Sequence, residues 1–65
     1  MRTIEAYANI KFPSGTIEIT WFDEEGYLKH FSYIGYSLRE AIKKFKADMS
    51  EELPDIKFKI LTPQN

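Results

Sequence analysis

Residues 16–33, TIEITWFDEEGYLKHFSY, set two large rings, Trp21 and Phe22, side by side just before an acidic turn. Successive side chains of a β-strand point to opposite faces, so in a strand only one of these rings faces the core. The flanking pattern decides which. Ile17, Ile19 and Trp21 alternate with Glu18, Thr20 and Phe22, so the indole belongs with the isoleucines. Asp23-Glu24-Glu25-Gly26 reads as a turn, with Gly26 suited to the left-handed position of a three-residue loop. That loop pairs Trp21 with Lys29, Ile19 with Phe31 and Ile17 with Tyr33, within a third strand running from Tyr27 to Tyr36. Partners across a ladder share a face, so the Ile17/Ile19/Trp21 side points inward. Lys29 is the awkward member, and its long stem reaches out near the hairpin end.

Upstream, Ile4, Ala6, Ala8, Ile10 and Phe12 alternate with Glu5, Tyr7, Asn9 and Lys11, which predicts a first strand from Ile4 to Phe12. A two-residue Ser14-Gly15 turn then pairs Phe12 with Ile17 and Ile10 with Ile19, and sets small Ala8 opposite large Trp21. Downstream, Ser37-Leu38-Arg39-Glu40 is a capping box that opens a helix. Leu38, Ala41, Ile42, Phe45 and Met49 form its apolar stripe, and Arg39, Lys43, Lys44 and Lys46 its wet side. Pro54 ends it. Ile56, Phe58 and Ile60 then alternate with Lys57, Lys59 and Leu61 in a last strand.

The order β-β-β-α-β predicts an α+β domain, a four-stranded, mostly antiparallel sheet with one helix packed on one face. A right-handed crossover favours the fourth strand beside and parallel to the first, in spatial order 3-2-1-4; order 1-2-3-4 is the competitor. Lys29 and Lys57/Lys59 would then sit on the exposed edges and discourage edge-to-edge pairing.

Sixty-five residues make one domain, 1–65, with 62–65 expected as a flexible C-terminal tail. A chain this short buries only roughly 60% of its unfolded surface. The absence of cysteine removes disulfides and thiolate metal sites, so apolar packing has to supply the core. Ten aromatic residues help, because each ring buries on the order of 150–250 Å². A net charge of −1 gives no general pull toward nucleic acid or an anionic membrane. Met1-Arg2-Thr3-Ile4-Glu5 meets an acid before any apolar run, so no signal peptide is expected. No stretch approaches 18 apolar residues, so no membrane span is expected either. Together these point to the cytoplasm.

A single helix covers a single sheet face. The other face then carries Tyr7, Asn9 and Lys11, then Glu18, Thr20 and Phe22, then Leu28, His30 and Ser32, and finally Lys57, Lys59 and Leu61. The expected pairing aligns Tyr7, Phe22 and Leu28, sets Lys11 opposite Glu18, and places Asn9, Thr20 and His30 in a polar row. The candidate binding residues are therefore Tyr7, Asn9, Lys11, Thr20, Phe22, Leu28, His30, Lys57 and Lys59. Three readings stay open. Cross-strand aromatics stabilise a sheet by roughly 0.2–1 kcal/mol per pair without further purpose. Alternatively the cluster is a protein contact, either a homodimer seam or the docking surface of another protein. Thirdly, Tyr7 and Phe22 stack bases of single-stranded nucleic acid while Lys11, Lys57 and Lys59 meet phosphates. Glu5 and Glu18 on that face count against the third reading.

Catalytic chemistry finds little to build on. His30 is the sole histidine, so neither a Cys–His pair nor a histidine-based metal site forms within one chain. Asp23-Glu24-Glu25 suits a hairpin tip and lacks the ligand spacing of a calcium loop. The three glycines are isolated, which excludes a phosphate loop, and nucleophile motifs are missing. A non-enzymatic module without metal or cofactor is expected. The cluster Arg39, Lys43, Lys44 and Lys46 reads as the solvated side of an amphipathic helix, separate from the lysines of the open sheet face.

The stretch GYSLREAIKKF, Gly35 to Phe45, follows three strands and precedes a fourth. Its Gly-x-Ser-x-x-Glu-Ala entry is similar to that of HicB-type antitoxin modules, whose β-β-β-α-β domain partners a small toxin RNase. It also resembles the strand-to-helix junction of the arm-type DNA-binding domains of phage integrases, which lack the last strand. The resemblance implies an antitoxin-like regulatory role as the alternative to a protein-binding module. It does not extend to the first two strands, and no DNA-binding extension follows.

Overall fold

The computed structural model describes residues 2–62, so residues 63–65 of the expected tail lie outside the described residues. Thr62 follows the last strand without regular structure and is exposed. The elements are β1 (Arg2–Lys11), β2 (Thr16–Phe22), β3 (Leu28–Tyr33), α1 (Leu38–Glu52) and β4 (Ile56–Leu61). They build a four-stranded sheet in the order β3-β2-β1-β4, antiparallel except for the parallel β1–β4 pair. This is the α+β, β-β-β-α-β architecture read from the alternation, with strand order 3-2-1-4.

The second hairpin has the predicted register, with Trp21 opposite Lys29, Ile19 opposite Phe31 and Ile17 opposite Tyr33. Gly26 takes φ +88°, which glycine adopts at no steric cost. Asp23 organises the loop: its Oδ1 accepts 2.9 Å hydrogen bonds from the backbone N–H groups of Glu25 and Tyr27. The acidic tip is thus committed to its own turn.

The first hairpin differs by two residues. Ala6 lies opposite Trp21, Ala8 opposite Ile19 and Ile10 opposite Ile17, and the ladder closes at Lys11–Thr16. The connection is Phe12–Gly15, four residues rather than the expected Ser14-Gly15 pair, with the Gly15 N–H donating to the Lys11 carbonyl at 2.7 Å. Proline explains the shift: the expected register would have placed Pro13 in the ladder, where it has no N–H to donate. Phe12, expected inward, therefore leaves the sheet and is 82% exposed. The strand limits change with it. β1 stops before Phe12, and β3 runs from Leu28 to Tyr33 because Gly35, at φ +83°, redirects the chain into the helix cap.

A slip of two keeps every side chain on its face, so the core survives it. Trp21 still meets a small partner, now Ala6, which is fully buried. β2 and β4 stand two strand spacings apart, roughly 10 Å. The Trp21 and Phe58 ring centroids are nevertheless 5.7 Å apart, reaching over the alanine between them. Phe45 descends from α1 to meet both rings at 5.1 Å in edge-to-face geometry, and Phe31 lies 5.5 Å from Trp21. Ala41, Phe45 and Met49 are the buried residues of α1, with Leu38 and Ile42 packed at the margin.

The helix begins as its sequence requires. The Glu40 N–H donates to the Ser37 hydroxyl at 3.2 Å, and the Ser37 N–H donates to the Glu40 carboxylate at 3.1 Å. The backbone bond from Ser37, then the side-chain bond, holds the exposed Glu40 carboxyl below its ordinary pKa. At the other end the Leu53 N–H bonds to the Met49 carbonyl at 2.7 Å, just before Pro54. No helix among the described residues is long and apolar enough to cross a membrane.

Candidate functional site: the bare sheet face

α1 covers the face that carries Trp21, and no second layer covers the other face among the described residues. Phe22, next to a Trp21 that is 6% exposed, is itself 61% exposed. Leu28 is its ladder partner and is 60% exposed. The two-residue slip moves Tyr7: it pairs with Thr20 on one side and Leu61 on the other, and Phe22 becomes its diagonal neighbour. Leu61, Tyr7, Phe22 and Leu28 thus form an oblique apolar band that crosses all four strands. Diagonal neighbours lie within reach of aromatic side chains. Leu61 was not among the candidate residues, although it shares the parity of Lys57 and Lys59 and so was already placed on this face.

The polar residues are redistributed by the same slip. Asn9, expected beside Thr20, instead faces Glu18, which in turn faces Ser32. Thr20 and His30 remain partners and form one row with Tyr7. Lys11 was expected directly opposite Glu18 but faces Thr16; it reaches Glu18 diagonally, Nζ to Oε1 at 3.4 Å. Lys59 stands beside Glu5 and Lys57 beside Thr3 in the β1–β4 ladder. All nine candidates share this face, as alternation required, and the structure corrects which of them touch.

No group of three or more His, Asp or Glu side chains that could hold a metal ion occurs among the described residues. Tyr33 lies on the opposite face, as the ladder partner of Ile17. Its hydroxyl is pushed up to about 12, first by burial and then by Asp48, to whose carboxylate it donates a long 3.5 Å hydrogen bond.

The chain matches no protein-family model, no curated protein and no solved structure. The helix entry that resembles antitoxin and integrase modules is accounted for by the Ser37–Glu40 capping box.

Proposed function

We propose that this domain is a small non-enzymatic interaction module that works through its bare sheet face and takes a second copy of itself as the partner on that face. The observation that carries this reading is the band Leu61–Tyr7–Phe22–Leu28, apolar across the full width of an uncovered sheet. Contiguous apolar surface rimmed by polar residues is the usual mark of an association site. The rim favours self-association because it carries both signs, Glu5 and Glu18 beside Lys11, Lys57 and Lys59. In a two-fold contact the same patch meets itself, so its own acids answer its own bases. Four strands at about 4.8 Å span roughly 19 Å, room for a contact of the small, transient class. The dimer is therefore weak and concentration-dependent.

The same rim argues against phosphate as the ligand of this face, since Lys11 is already paired with Glu18 and Glu5 adds a second carboxylate to the face. Base stacking on Tyr7 and Phe22 would lack the positive groove that single-stranded nucleic acid requires. Sedimentation equilibrium tests the proposal. The weight-average mass should rise above 7.7 kDa toward twice that value with concentration. Tyr7→Ser/Phe22→Ser, with unchanged helical circular dichroism, should stay monomeric. A wild-type chain that stays monomeric throughout, or a double variant that still associates, would overturn it.

A further inference from the structure

We infer that the outer edge of β4 is a second docking site, which takes an extended acidic segment of another polypeptide as a fifth strand. Among the described residues β4 pairs with β1 alone, and although the Ile56 N–H donates to the Leu53 carbonyl at 3.1 Å, the outward backbone groups of Phe58 and Ile60 have no ladder partner. Beside this edge a groove of about 260 Å³ runs between β4 and α1, lined by Lys46, Met49, Ser50, Ile56, Lys57 and Phe58. Its floor is apolar. Ile56, Phe58 and Ile60 present one face of β4 to this side, while Lys57 and Lys59 lie on the other.

Charge selects the occupant. Arg2, Lys11, Lys29 and Lys44 each have a carboxylate within ion-pair distance, on Glu24, Glu18, Asp23 and Asp48 respectively. Arg39, Lys43, Lys46, Lys57 and Lys59 have none among the described residues, and of these Lys46 and Lys57 line the groove. Although the chain carries a net charge of −1, the charged residues that line the groove, Lys46 and Lys57, are both cations without an ion-pair partner among the described residues. The sequence read the helix lysines and the sheet lysines as separate surfaces; the groove brings Lys46 and Lys57 onto one rim. Lysines on an edge strand repel a second copy of the same edge, because like charges directly opposite are destabilising. They attract an acidic strand for the same reason. In a fifth strand alternate side chains would fall on opposite faces: apolar ones over Ile56, Met49 and Phe58, and carboxylates beside Lys57 and Lys59. Main-chain pairing supplies affinity in such additions, and the alternate side chains supply specificity.

Amide shift mapping of the whole chain tests this with a ten-residue synthetic peptide alternating glutamate and valine. The backbone amides of Ile56–Leu61 should shift on titration, together with Met49 beneath the groove. Lys57→Gln/Lys59→Gln, with its thermal midpoint unchanged, should bind about tenfold more weakly or worse, the equivalent of roughly 1.4 kcal/mol. The same peptide N-methylated at alternate residues should not bind, because it cannot form the ladder. Silence at Ile56–Leu61, equal binding of the N-methylated peptide, or a response to a ten-nucleotide oligothymidine in place of the peptide would each overturn the assignment.

Discussion

Trp21 and Phe22 are neighbours in sequence, similar in size and chemistry, and opposite in fate. One sits among Phe31, Phe45 and Phe58 with centroid separations of 5.1–5.7 Å; the other looks out from an uncovered sheet. The same contrast holds for whole faces. On the helix side, Ala6 and Ala8 are small so that rings from β2, β4 and α1 can meet above them. On the bare side, Tyr7 stands between those two alanines, half-exposed, with no layer above it among the described residues. The hydrophobic composition of a strand therefore says little about what is core. Pleat parity, together with the number of helices available to cover a face, decides it.

The largest effect should come from breaking the covered face. Phe45→Ala removes a fully buried ring that touches Trp21, Phe31 and Phe58, a change that costs about 3–5 kcal/mol. A 65-residue chain has a total stability of roughly 3–10 kcal/mol. Urea denaturation should find the variant unfolded or close to it; a loss below about 1 kcal/mol would mean that the two faces are not energetically distinct.

At the margin of the covered face, Tyr33 links packing to pH. Its folded pKa of about 12 lies above the ordinary value of 10.0 because burial, and next the charge of Asp48, favour the protonated phenol. A raised folded pKa gives a stabilisation that is complete below the unfolded value and is lost as pH rises through the folded one. Stability should consequently decline from about pH 10 to about pH 12, and Tyr33→Phe should flatten that decline in thermal melts. An unchanged alkaline limb in the variant would assign the decline to other groups.

The helix reaches its face through a cap whose loss should be smaller but measurable. Ser37→Ala removes the acceptor for the Glu40 N–H and should cost about 1 kcal/mol, read as a lower urea midpoint. Glu40 adds a weak pH dependence in the opposite direction. Its lowered folded pKa gives stability that is present above the ordinary carboxylate range and is lost as pH falls through the folded value. Glu40→Gln should remove that acid-side contribution.

The smallest effect on folding should come from the bare face. Phe22→Ser loses its ladder partner Leu28 and its diagonal neighbour Tyr7, both on the exposed face, and should change stability by less than about 1 kcal/mol. That small loss is what separates an association surface from a core, since the same variant should lose self-association. A cost comparable with Phe45→Ala would show that the two faces share the work of folding.

How far the sequence could be read follows from which physical signals it carries. Alternation fixes the face of each strand residue, and the capping box fixes where α1 begins; both were legible because each depends on local chemistry. The register of the first hairpin was not. Shifting β1 by two residues leaves Ile4, Ala6, Ala8 and Ile10 on the same side, so the apolar pattern is blind to the difference. Only Pro13 distinguished the two registers, through the hydrogen bond that it cannot donate. That error propagated into the site: it left all nine residues on the right face yet hid the oblique band, with Leu61 in line with Tyr7. The gathering of Lys46 and Lys57 was hidden for another reason, because strand order and helix placement together bring them to one groove.

The central claim, that parity leaves one sheet face bare and available for contact, is tested most directly by amide shifts recorded across a concentration series of the unmodified chain. The account predicts concentration-dependent shifts at Tyr7, Thr20, Phe22, Leu28 and His30, with the amides of Arg39, Lys43 and Lys46 on the solvent side of α1 unmoved. Shifts confined to α1, or spectra identical at every concentration, would contradict it.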